Sequence, residues 1–218
     1  MSGPDGSPDR EAAQTAVRAL RARISRLDDD SIDLILRDAR SHYAWTDRPV
    51  SQDTLQALFD IVIRGPTSMN TCPARLVFVV SDAAKDRLAK ALKDKNVPKM
   101  RDAPVTAIVA WDPNYWQQLD RLFPHEDRKP LFANNPDYAE DTAYRNSTLQ
   151  GAYLMIAARA LGLDVGAMSG FSNAVVDAEF FGESGWRSNF LCNLGYADES
   201  ALFPRLPRFD FDDVCTVL

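Results

Sequence analysis

Residues 104–111 read Pro-Val-Thr-Ala-Ile-Val-Ala-Trp, a nearly unbroken apolar run. A short run rich in β-branched residues reads as a strand, and the missing polar alternation marks one buried on both faces. Such a strand calls for a sheet with a layer of structure above it and another below.

The remaining segments supply those layers. Residues 75–80, 165–169 and 190–196 read as further strands. In residues 10–27, Ala13, Ala16, Val17, Leu20, Ile24 and Leu27 recur at helical spacing, with Arg10, Arg18, Arg21, Arg23 and Arg26 opposite. That pattern predicts an amphipathic helix whose arginines form a solvated face, packed on the body or on a partner subunit. Asp28 to Ser31 then caps a helix over residues 32–39. Ser51 caps another that runs to Arg64, with Leu55, Leu58, Phe59 and Val62 as its buried stripe. Gly65-Pro66 stops it, since proline disfavours helical geometry in the residue before it. Ser81 opens a helix with Leu88 and Leu92 inward, and residues 114–122 read as helical, followed by a loop to Asn135. Pro136 opens a long helix to Leu161, with Ala143, Gln150, Tyr153, Leu154, Ala157 and Leu161 on one face and Gly162 as its stop. Ser172 begins one more. The fold class is therefore α+β, or a three-layer domain around a central sheet. Residues 1–8 are small and polar and are expected to be disordered.

Composition narrows the function. The chain has 218 residues, 45% of them hydrophobic, enough for one large domain. The net charge of -6 argues against a duplex nucleic-acid binder. Cys72, Cys192 and Cys215 form no CxxC pair, which suggests reduced thiols in the cytosol. His42 and His125 lack the paired Cys/His spacings of a zinc site, so no metal is expected. No apolar run reaches the roughly 18–20 residues of a membrane span, and the N-terminus lacks a signal-peptide core. There is no GxGxxG and no GxxxxGK[ST]. Ser169 has Ala167 and Phe171 where a nucleophile elbow requires glycines, which weakens a serine hydrolase reading. With side-chain nucleophiles and metals poorly supported, a bound cofactor is the natural carrier of chemistry.

Several segments together resemble the nitroreductase family of FMN oxidoreductases. They are Arg40-Ser41-His42, the loop from Gly65 through Pro66, Thr67, Ser68, Met69 and Asn70 to Ala74, the segment from Ala160 to Phe171, and the basic tail from Pro204 to Arg208. Four such segments in family order cover the chain from Ser31 onward, leaving residues 1–30 as an N-terminal extension and 31–218 as the FMN-binding domain. Within the family, the stretches 103–112, 122–125, 145–150 and 168–171 are most similar to the malonic semialdehyde reductases of pyrimidine degradation.

The resemblance implies a three-layer α/β/α fold with a mostly antiparallel sheet. It implies a homodimer with FMN at the subunit interface, and NADPH or NADH as hydride donor. It places Arg40 at the flavin phosphate and ring edge, with Ser41 and His42 in the same contact segment. Pro66, Thr67, Ser68 and Asn70 match a loop that approaches the ring from the partner subunit. Asn96 matches an asparagine at the ring's polar edge. Ser169 and Gly170 match backbone donors facing flavin N5, and Arg205 and Arg208 match C-terminal phosphate contacts. One departure stands out: Ala44 replaces a lysine common near the flavin N1–O2 side. His42 is then a candidate for charge balance or proton donation. The implied reaction is ping-pong hydride transfer to malonic semialdehyde or a similar small aldehyde. A broad nitroaromatic or quinone reductase and a flavin-binding protein without turnover are the alternatives.

Overall fold

The computed structural model describes residues 8–218, so the disorder expected at the start falls largely on residues 1–7, outside the described residues. The chain divides into two compact units, one ending at Ala39 and one running from Arg40 to Leu218.

The first unit holds α1 (Pro8–Arg23) and α2 (Asp29–Ile32), the latter continuing as a π-helical turn over Asp33–Arg37. Asp28 caps α2, its carboxylate accepting from the Ser31 N–H at 2.8 Å, as its position predicts. Arg37 bridges Asp29 at 2.6 Å and Asp33 at 2.9 Å across exposed turns.

The second unit contains, in chain order, α3 (Gln52–Val62), β1 (Ala74–Val79), α4 (Asp82–Ala89), α5 (Val97–Asp102), β2 (Val105–Trp111), α6 (Leu119–Leu122), α7 (Lys129–Ala133), α8 (Pro136–Ala160), β3 (Asp164–Met168), α9 (Asn173–Phe180), β4 (Arg187–Gly195) and α10 (Phe211–Val214). The four strands form one antiparallel sheet in the order β1-β2-β4-β3.

β2 is buried at every position. Its odd members Val105, Ala107 and Val109 pack with Leu58 and Val62 of α3 and Leu154, Ala157 and Ala158 of α8. Its even members Ile108 and Ala110 face the other way, toward Leu88, Met100 and Val176 of α4, α5 and α9. This is the expected α/β/α sandwich, and it explains the absence of a polar face. Thr106, the one hydroxyl in the run, donates to Asn193 Oδ1 at 2.7 Å, and Asn193 Nδ2 donates to the Lys99 carbonyl at 3.0 Å. That buried relay ties α5 to the sheet.

Side-chain caps match the sequence reading at Ser51, Ser81 and Ser172, each accepting from an N–H three residues on. Gly162, at φ +76, follows the end of α8 in the left-handed region expected of a helix stop.

Four local expectations are corrected. The first helix ends at Arg23, short of the expected Leu27. The next begins at Asp29 and ends in its π-helical turn at Arg37, rather than spanning residues 32–39. The loop predicted between residues 122 and 135 contains α7, because Pro130 suits a first helical turn and Phe132 packs edge-on against Tyr115, their ring centroids 5.4 Å apart. Phe59 is 43% exposed, not buried, because it faces a cavity of about 880 Å³ between α3 and the outer edge of β1.

Gly166 in β3 has a required role. A Cβ there would stand 2.5 Å from the His42 carbonyl oxygen and 3.1 Å from the Trp45 ring. Backbone cannot yield as a flexible side chain can. We expect Gly166→Ala to lower stability by about 1–3 kcal/mol, the usual cost of overpacking, measured by urea denaturation; an unchanged midpoint would contradict this close approach.

Candidate functional site

The motif residues fall into two groups at opposite edges of the sheet. The first gathers around β3. Ser41 forms a parallel bridge with Val165, and the His42 N–H donates to the Val165 carbonyl at 2.9 Å. Arg40, Ser41 and His42 thus run as a short extension beside the edge strand. Arg40 Nη2 donates to the Phe203 carbonyl, which brings it to the start of the segment holding Arg205 and Arg208. Arg208 donates to the carbonyls of Leu206 and Pro207 at 3.1 and 3.0 Å.

Beyond β3, Ser169 and Gly170 meet the residues leading into α5. Asn96 is buried, and its Nδ2 donates to the Gly170 carbonyl at 3.1 Å. The Lys93 N–H donates to the same oxygen at 3.2 Å. A Cβ on Gly170 would lie 2.6 Å from Asn96 Nδ2, so the amide lies directly against bare backbone. Asn96 and the Ser169-Gly170 pair, 74 residues apart in sequence, are neighbours here.

His42 sits between these features. Its Nε2 is 3.3 Å from Asp164 Oδ1, while its Nδ1 is buried with no hydrogen-bond partner. Asp164 Oδ2 accepts from the Ala197 N–H at 2.9 Å, which holds the carboxylate in place. Burial pushes the imidazole below its ordinary value near 6.5; Asp164 and Glu199 pull it up, while Arg40 and Arg159 push it further down. The ring is therefore neutral at neutral pH. With Nε2–H directed at Asp164, Nδ1 presents a lone pair.

Lys99 was not singled out by the sequence reading. It stands one helical turn beyond Asn96, and its Nζ lies 4.5 Å from the centre of the Tyr43 ring. Tyr43 in turn packs edge-on against Phe203 at 5.8 Å. An ammonium thus stands beside the residue preceding Ala44, where the family's lysine is missing. The Asn-x-x-Lys spacing across a helix start was the available signal.

The second group is the loop over residues 65–73, leading into β1 at the far edge. Met69, Asn70 and Cys72 have φ of 49°, 52° and 41°. Three non-glycine residues in the left-handed region cost on the order of 1–3 kcal/mol each and persist only when neighbours enforce them. Two buried amides of α8 do so, one turn apart. Asn146 Oδ1 accepts from the Ser68 N–H at 2.8 Å, and Gln150 Oε1 accepts from the Ala74 N–H at 3.0 Å. Arg75 donates to the carbonyls of Cys72, Pro73 and Ala74 and closes a 2.7 Å ion pair with Asp112. Within the loop, Thr67 Oγ1 accepts from the Cys72 N–H at 3.1 Å, and Asn70 Nδ2 donates to the Leu122 carbonyl at 2.7 Å. Pro66 and Ser68 are exposed at its tip. Sequence periodicity placed Gln150 on the inward face of α8 without revealing that it and Asn146 serve this loop. Amides one turn apart on the inward face of a helix were the signal.

Taken together, these features describe a three-layer antiparallel-sheet protein whose motif residues are shared between two sheet edges. The chain belongs to the nitroreductase family: the sequence model described as "Nitroreductase family" matches residues 36–196. A Burkholderia lata protein provisionally named NADH dehydrogenase/NAD(P)H nitroreductase is 53% identical over 194 residues, covering 89% of this chain and 100% of the relative. A Bacillus subtilis structure, provisionally named a nitroreductase, superposes with a TM-score of 0.78 at 17% identity, over 88% of this chain and 100% of the other. A structure from Exiguobacterium sibiricum, with the same provisional name and described as a complex with FMN, gives 0.76 at 20% identity, over 88% and 99%.

Asn146→Ala leaves the Ser68 N–H without its partner beneath a strained loop. We expect a loss of about 1–3 kcal/mol, read from the chemical-denaturation midpoint; no loss would show that the amide does not restrain the loop.

Proposed function

We propose that the chain is an FMN-dependent NAD(P)H oxidoreductase that works as a homodimer in the cytosol and reduces malonic semialdehyde, or a similar small aldehyde, to 3-hydroxypropanoate. The observation that carries this reading is the division of the motif residues. The Arg40, Asn96 and Ser169-Gly170 group lies at the β3 edge, and the Ser68 and Asn70 loop enters at the β1 edge, with β2 and β4 between. Strands sit about 4.8 Å apart, so one chain does not bring both groups around one flat ring. A second copy does, by setting the loop of one protomer beside the β3 edge of the other. Exposed apolar side chains favour such pairing: Phe59 and Ile63 near the loop, Leu149 and Tyr153 on α8, and Phe209 and Phe211 in the tail. The three free cysteines fit a reducing compartment.

The residues present suit FMN. Arg40, Arg205 and Arg208 offer permanently charged bidentate donors for a phosphate. The bare backbone at Ser169-Gly170 allows close approach to a planar ring, with the Asn96 amide beside it. The orphaned His42 Nδ1 is an acceptor suited to a ligand hydroxyl. When bound, FMN supplies a ring atom, N5, that takes hydride from NAD(P)H and gives it to the acceptor. The chain's part is to orient both substrates over that atom, which removes much of the entropic barrier. His42 is neutral and its one N–H faces Asp164, so we assign the carbonyl's proton to solvent. We assign the positive charge that favours reduction to Lys99, whose Nζ lies over the ring of Tyr43, the neighbour of Ala44 in sequence.

The malonic semialdehyde assignment rests on the sequence stretches most similar to those reductases. The name of the Burkholderia lata relative favours a second reading, a nitroaromatic reductase on the same scaffold. Purified protein is expected to be yellow and to bleach under anaerobic NADPH or NADH. A colourless protein that takes up no FMN would sink the proposal, and a flavin that stays oxidised would make the chain a carrier. On malonic semialdehyde, kcat/KM should exceed that on a nitroaromatic or a quinone by about 100-fold or more, the discrimination a site built for one polar acceptor can reach; the reverse order would support the second reading.

Lys99→Met should lower the flavin midpoint potential by about 30 mV or more, the two-electron equivalent of about 1.4 kcal/mol. Lys99→Arg should keep it near the native value. Equal potentials in all three proteins would remove Lys99 from the site.

A further inference from the structure

The Asn96 amide is not the only group held against Gly170. Residues 91–93 and 170–172 run antiparallel beside one another. Leu92 bridges Phe171, the Ser172 N–H donates to the Ala91 carbonyl at 2.8 Å, and the Lys93 N–H closes the other end on the Gly170 carbonyl. The turn that carries Lys93 is therefore fixed to the Ser169-Gly170 backbone. Its side chain stays close as well: a Cβ on Gly170 would meet Lys93 Cδ at 3.8 Å. The ammonium lies two bonds past that carbon, about 2.5 Å at most, so it stays at the rim of the bare backbone.

That ammonium has no counter-charge. Cations on the helices to either side are engaged. Lys85 donates to the Arg101 and Ala103 carbonyls, Arg87 and Lys90 pair with Glu179, and Arg101 pairs with Asp86. Lys93 is exposed, and its side chain has no hydrogen-bond or ion-pair partner among the described residues. An unpaired surface lysine is ordinary by itself. This one is distinguished by its fixed seat beside the backbone where the functional reading above lays flavin N5.

An acidic acceptor supplies the missing anion. Its carbonyl carbon stands over N5, and in malonic semialdehyde a carboxylate follows after one methylene. The chain's net charge of -6 works against an anionic substrate, so a site for one calls for a local cation. We propose that Lys93 binds the carboxylate of the acceptor and selects small acids over uncharged compounds. The inference rests on the functional reading given above. An ammonium and a carboxylate form a charge-assisted hydrogen bond, and the flexible lysine stem lets the charge follow the substrate. Lys99, over the Tyr43 ring, keeps its separate assignment to the flavin.

The flavin-loaded protein tests this through Lys93→Met and Lys93→Arg. Malonate is the first probe, since it carries the carboxylate and cannot take hydride. Its Kd, read from the shift it causes in flavin absorbance, should rise about 10-fold or more in Lys93→Met, the scale of one charge-assisted hydrogen bond. In Lys93→Arg it should stay near the native value. Equal Kd in the native protein and Lys93→Met, or no binding to either, would overturn the proposal. The ratio of kcat/KM on malonic semialdehyde to that on propanal should fall by the same factor in Lys93→Met. A loss shared equally by the two aldehydes would mark a structural role and overturn it. A loss seen with NADPH but not with NADH would give the lysine to the donor's phosphate, with the same consequence. If the native protein reduces neither aldehyde, the substrate reading fails by itself, and the ratio between 4-nitrobenzoate and nitrobenzene then decides Lys93 in the same way.

Discussion

Burial of β2 on both faces is the constraint on which the second unit depends. Alternate side chains of this strand point into two separate cores, one under α3 and α8 and one under α4, α5 and α9. Each core is closed only when a helix layer covers it, so the strand at the centre dictates three layers. The Thr106–Asn193–Lys99 relay shows the same economy in polar terms. The one hydroxyl in the strand is satisfied by a side chain that also fastens α5, and α5 carries Lys99 one turn beyond Asn96.

The order β1-β2-β4-β3 then has a consequence for chemistry. Both edge strands lie next to motif segments, but to different ones. The β3 edge receives the Arg40 segment because Gly166 lets a neighbouring backbone come close. The β1 edge begins at the strained loop. The motif segments of this chain are thereby divided between the two edges, and it is on this division that the proposed pairing of two copies rests.

The loop illustrates how a strained conformation is held. Left-handed geometry at Met69, Asn70 and Cys72 is unfavourable for residues with a Cβ. Asn146, Gln150 and Arg75 satisfy the backbone groups that this geometry turns inward, from a helix and a strand that are themselves packed in place. His42 shows a related effect at the other edge. Burial holds it neutral, and Asp164 occupies one of its nitrogens, leaving the other as a bare acceptor. The residue that motif position suggested for charge balance is thereby better suited to hydrogen bonding, which is why the proposed function assigns the cation to Lys99 of α5.

The sequence by itself determined the layer architecture and most of the elements; the short helices α5 and α10 hold too few residues for a period to be read. Hydrophobic periodicity is a local property, and the serine caps, the unbroken run of β2 and the Gly162 stop are read within a few residues of each other. Misreadings at Phe59 and α7 arose where a neighbour distant in sequence decided burial: the cavity beside β1 in one case, Tyr115 in the other. Family likeness named Arg40, Asn96, Ser169 and Gly170, but not which of them meet. That depended on strand order and on side chains such as Asp164, Asn146 and Lys99. Each acts on a residue from another element, and no spacing along the chain encodes a contact made only after the sheet has closed.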